Sequence, residues 1–171
     1  MTQALYIFAA FLIGAGGATQ TALLGAIGKE RGSLEASWIS MLSTAIGLAL
    51  MLTVRGSRGQ IDLSAPLHRT EVWVAMFALT AVLLTLSMRG IAPGFAIVGL
   101  FGLAFIAGAA FLIPEIGVSG FVVGATAGTL IAALTLDHTG AFGIDVREVS
   151  LLRVSGVALA LVGAVIVSTD T

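Results

Sequence analysis

The chain has 171 residues, 58% of them hydrophobic and 10% charged, with a formal net charge of −1. So little polar material speaks against a soluble globular fold of this size, and a near-neutral chain without a basic stripe is no partner for nucleic acid. The absence of cysteine removes disulfide frames, iron–sulfur clusters and thiolate metal sites, and two distant histidines make no metal centre, so no cofactor is expected.

Six stretches are long and apolar enough to cross a hydrocarbon core of about 30 Å as helices rising about 1.5 Å per residue. They fall at about 4–28, 34–54, 71–88, 91–113, 117–136 and 151–169. None alternates with the two-residue period of a barrel strand. The expected fold class is therefore an all-α membrane protein, one polytopic transmembrane domain of six helices, or five if the short third stretch lies in the interface.

The first span opens on "MTQALYIFAAFLIGAGG", which lacks a basic leading region and runs into further membrane sequence, so a cleaved leader is not expected. It carries Gly14, Ala18, Ala22 and Ala26 along one side and Gly17, Thr21 and Gly25 along another. Gln20 is the most polar side chain deep within any span, and its amide needs either a neighbouring helix or a water-filled path. The second span has Glu35 and Trp38 at its mouth and a polar side formed by Ser37, Ser40, Ser43 and Thr44, whose hydroxyls are also able to bond their own helix. The fourth ends at Pro114 and Glu115.

In the fifth span Gly120, Gly124 and Gly128 recur every four residues, a spacing that lets helix backbones approach closely in lipid, and Thr126 and Thr129 add hydroxyls. The span closes on Asp137 and His138, which as adjacent residues do not face each other and read as an interface cap rather than a catalytic dyad. The last span repeats the small-residue pattern at Gly156, Ala160 and Ala164. In a six-span arrangement one side holds Lys29, Arg31, Arg89, Arg147 and Arg153 and the other Arg55, Arg58 and Arg69, a slight bias toward both termini outside.

"GVSGFVVG" at 117–124 resembles the nucleophile motif of rhomboid intramembrane proteases. A serine nucleophile needs a histidine within hydrogen-bonding reach, and nineteen helical residues from Ser119 to His138 amount to about 28 Å, so proteolysis is not expected.

"GATQTALLGAIGKERGS", "EASWISML", "IPEIG", "LDHTGAFG" and "LLRVSGVALALVGAVIV" together resemble the YdcZ family of small bacterial membrane proteins, grouped with the drug/metabolite transporter superfamily. Where that family pattern carries an asparagine, a glycine and a glutamine, this chain has Leu24, Thr44 and Thr129, and the third span stands as an addition to the usual five. The resemblance implies a multi-pass transporter of the bacterial inner membrane without enzymatic activity. It also implies a half-transporter, working as a homo- or heterodimer with a similar small membrane protein. Under it, Gln20, Thr21, Ser40, Thr44, Thr126 and Thr129 line a path for an unidentified small neutral or amphipathic solute, and the Gly120, Gly124 and Gly128 face packs helices, partly at the dimer contact. The alternative is a non-transporting membrane subunit that stabilises or regulates a partner.

Overall fold

Uninterrupted apolar sequence has only its own backbone to satisfy its N–H and C=O groups in lipid. Each long stretch is accordingly helical in the computed structural model, which describes residues 2–169 and contains no strand among them. Helix α1 spans Thr2–Arg31, α2 Ser33–Ser57, α3 Thr70–Ser87, α4 Val98–Thr139 and α5 Leu151–Thr169. The segment expected to begin the fourth span is different: Pro93–Ile97 forms a 3-10 turn, because Pro93 lacks an N–H and Gly94 lowers helix propensity, and the α-helix starts only at Val98.

Two glycines make the sharpest reversals. Gly32, at φ 91°, ends α1 by donating its N–H to the Gly28 carbonyl at 2.9 Å, and α2 begins one residue later. Gly117, at φ 73° and ψ 167°, interrupts α4. A straight helix of 42 residues would run about 63 Å, twice the thickness of a bilayer core. Instead the rings of Phe105 and Phe121 lie 5.6 Å apart, although sixteen residues of straight helix would separate them by about 24 Å. The chain doubles back at Gly117, and the arms 98–116 and 118–139 take the places expected for the fourth and fifth spans. Pro114 stays inside the first arm.

Among the described residues, four helical stretches are long and apolar enough to cross a membrane: Gln3–Arg31, Ser33–Ser57, Thr70–Ser87 and Pro93–Thr139, the last containing both arms. Leu151–Ile166 is a shorter apolar helix.

The described residues form two units. One comprises the chain up to Ala26 and from Ala104 onward. Within it α1 runs antiparallel to the first arm, with Ile13 at Gly108 and the Tyr6 ring edge-on to Phe111, and parallel to the second arm. Ala10, Leu112, Phe121 and Ala125 are the buried centre of this packing. Helix α5 runs antiparallel to the second arm, Asp137 meeting Arg153.

The other unit is Ile27–Leu103. Here α2 and α3 are antiparallel, Trp38 reaching Ser87 at one end and Gly56 lying against Thr70 at the other, while α2 runs parallel to the start of α4. Its buried residues include Ile39, Leu42, Ser43 and Val98.

Candidate functional site

Small residues fix how closely the helices approach. A Cβ on Gly128 would sit 1.9 Å from the Phe11 carbonyl oxygen, and one on Gly14 would sit 1.9 Å from that of Ala125. Gly124 faces Ala10 and the Ile7 carbonyl at 3.0–3.1 Å. Backbone therefore meets backbone along α1 and the second arm of α4, the geometry that small residues permit in lipid. Thr129 joins the seam: its hydroxyl lies 2.9 Å from the carbonyls of both Gly14 and Ala125.

The seam bears on the expected dimer contact. Gly124 and Gly128 are filled by α1 of the same chain, so they offer nothing to a second copy, and Gly120 meets only Ile116. A glycine row in a sequence announces a close approach without naming the helix that makes it.

The fold of α4 onto itself leaves a groove of about 210 Å³, lined among others by Phe105, Phe121, Ala125, Thr126, Thr129 and Leu130. Its walls are rings and aliphatic carbons, its polar groups are two hydroxyls, and among the described residues no ionisable side chain lines it. Thr129 commits its proton to carbonyls and offers only an acceptor. The Thr126 hydroxyl, which makes no hydrogen bond among the described residues, keeps both its donor and its acceptor. Of the six residues expected along a solute path, these two are brought together here.

The remaining four are dispersed. Gln20 is half-buried on α1, and Thr21 is exposed with its hydroxyl on the Gly17 carbonyl of its own helix at 3.0 Å. Ser40 and Thr44 belong to the other unit, where they meet the start of α4. The Thr44 hydroxyl lies 2.9 Å from the Ser40 and Gly99 carbonyls, and the Gly99 N–H donates to the Ser43 hydroxyl at 3.1 Å. A Cβ on Gly99 would sit 2.0 Å from the Ser40 carbonyl oxygen. The polar side of α2 thus binds the backbone of α4. The sequence signal for this is Gly99, an isolated glycine between bulky residues, which no local spacing connects to the serines.

Asp137 forms an ion pair with Arg153 of α5, each side chain about a third exposed (31% and 35%). The Asp137 carbonyl also accepts the Arg147 N–H at 2.8 Å, so the loop between the helices is tied at both ends. His138 is exposed. Beside this pair runs a second groove of about 290 Å³ between the second arm and α5, lined by Leu130, Leu134, Gly156, Val157 and Ala160 with the ion pair at its end. Among the described residues no cluster of three His, Cys, Asp or Glu side chains is placed to hold a metal.

A family model described as "Putative inner membrane exporter, YdcZ" matches residues 70–166, more than half of the chain. The matched segment begins at the start of α3, the span that stands in the sequence as an addition. No curated protein and no solved structure matches the chain.

Proposed function

The chain belongs to the YdcZ family, and from that premise we propose that it is a multi-pass inner-membrane exporter of a small neutral or amphipathic solute, a half-transporter of the drug/metabolite type acting as a dimer without enzymatic chemistry. The observation that carries this reading is the groove between the arms of α4, apolar apart from the hydroxyls of Thr126 and Thr129. An uncharged solute with a ring or short alkyl body and one hydrogen-bonding group matches such a lining. A volume of about 210 Å³ is below the ~300–1,000 Å³ of sites that enclose a drug-sized ligand. One chain then supplies part of the solute's enclosure, which is the reason to invoke a second repeat. The dimer contact lies away from Gly124 and Gly128, whose surface α1 fills.

Counting each arm of α4 as a crossing gives six spans and puts both termini on one side. No proteolytic role follows from Ser119 and His138, which lie at opposite ends of the continuous second arm.

Export of a panel of neutral aromatic alcohols and amphipathic dyes by proteoliposomes tests the reading. Thr126→Val keeps shape and removes the hydroxyl, and flux of the transported member is expected to fall about threefold to tenfold, the worth of one neutral hydrogen bond. Unchanged flux in Thr126→Val would remove the groove from the path. A wild-type protein that moves none of the panel, with deletion phenotypes that follow a partner's, would favour the regulatory-subunit alternative.

A further inference from the structure

At one end of the unit formed by Ile27–Leu103, the turn between α1 and α2 meets the turn after α3. Arg31, Glu35, Trp38, Leu86, Ser87 and Arg89 surround a pocket of about 280 Å³ there, more polar than either groove in the other unit. The Arg31 guanidinium crosses between the turns and donates to the Arg89 carbonyl, lying against Gly90, whose φ of 81° and missing side chain leave room for it. That contact uses one of five guanidinium N–H donors. Among the described residues neither Arg31 nor Arg89 forms an ion pair, although Glu35 lies on the same wall. Two arginines and one glutamate thus line one pocket, a net charge of +1 with no ion pair between them.

The pocket also sits where a lipid headgroup sits. Arg31 and Arg89 flank the ends of apolar helices, and Trp38 is half exposed, with its ring N–H on the Ser87 hydroxyl at 3.1 Å, the amphipathic arrangement of an interfacial tryptophan. One helical turn before Trp38 on α2, Leu34 is 85% exposed, an apolar surface suited to acyl chains.

We propose that this pocket binds the phosphate of an anionic phospholipid headgroup, with Arg31 and Arg89 on the phosphate oxygens and Glu35 accepting from a headgroup hydroxyl. Basic pockets between membrane helices hold anionic headgroups through such charge-assisted bonds. The proposal stands apart from the transport reading, since it uses none of the groove residues.

The test uses the full chain with Trp73→Phe, which leaves Trp38 as the sole tryptophan, in vesicles of phosphatidylcholine with increasing brominated phosphatidylglycerol. Trp38 quenching is expected to saturate at a lower fraction of brominated phosphatidylglycerol than of brominated phosphatidylcholine. Arg89→Gln, which leaves the Arg31 contact to the main chain intact, should weaken that preference about fivefold, the worth of one arginine at an anionic surface. Arg58→Gln at the opposite end of the unit should leave it unchanged. Equal quenching by both lipids overturns the proposal, as does an equal loss in Arg58→Gln, which would mean general surface charge. Reversal of the preference by millimolar inorganic phosphate would assign the pocket to a soluble anion and overturn the lipid assignment.

Discussion

Gly128→Ala adds a single carbon, and its cost follows from the seam. The new Cβ would begin 1.9 Å from the Phe11 carbonyl oxygen, with the Ala15 nitrogen at 2.9 Å. Both neighbours are main chain and cannot rotate away. Ordinary contact near 3.4 Å requires α1 and the second arm to part by about 1.5 Å. Such overpacking costs about 1–3 kcal/mol. The same movement carries the Thr129 hydroxyl beyond hydrogen-bonding reach of the Gly14 carbonyl, now 2.9 Å away, at about another 0.6 kcal/mol. The expected loss is therefore about 2–4 kcal/mol, read as the unfolding midpoint in mixed micelles. Gly120→Ala is the matched control, because its Cβ would meet only the Ile116 side chain at 3.4 Å, and it should change stability by less than about 0.5 kcal/mol. Equal effects at the two glycines, or a Gly128→Ala protein as stable as wild type, would refute the backbone seam.

Thr129→Val keeps the shape and loses the bond to Gly14, for an expected cost of about 0.6 kcal/mol in the same unfolding assay with helix content unchanged. Gly117→Ala places a side chain where φ is 73° and ψ 167° with nothing within 4 Å, so its cost of about 1–3 kcal/mol in the same unfolding assay is pure backbone strain. The ion pair of Asp137 and Arg153, each a third exposed, should show a coupling below about 1 kcal/mol in a double-mutant cycle with Asp137→Asn and Arg153→Gln, smaller still at high salt.

Much of the helical pattern was legible because lipid leaves an apolar run of this length few alternatives. Spans one, two, three and six lie within a few residues of the observed helices. The sequence puts the turn between the fourth and fifth near Pro114 and Glu115, close to Gly117, yet the proline is absorbed by the helix and Gly117 is where it reverses. Pairing was harder to read. Gly124 and Gly128 announce a close contact, but α1 lies more than a hundred residues away, and no local spacing connects them. The hydroxyls of Ser43 and Thr44 look in sequence like that of Thr126; only packing separates a group spent on the Gly99 backbone from one left open in a groove. Asp137 and Arg153 are each an ordinary span-end charge until the loop between them brings them together.

The 115 residues between Thr129 and Gly14 have a consequence for biogenesis. At roughly 5–20 residues per second, a ribosome takes on the order of ten seconds to produce the counterpart that α1 needs. Throughout that wait the first helix shows a bare backbone ledge to the bilayer. A finished counterpart on a neighbouring nascent chain fits that ledge equally well, so exchange between polypeptides competes with correct closure. Its yield rises with expression level, and strong overproduction is expected to enrich swapped oligomers at the expense of the properly closed chain.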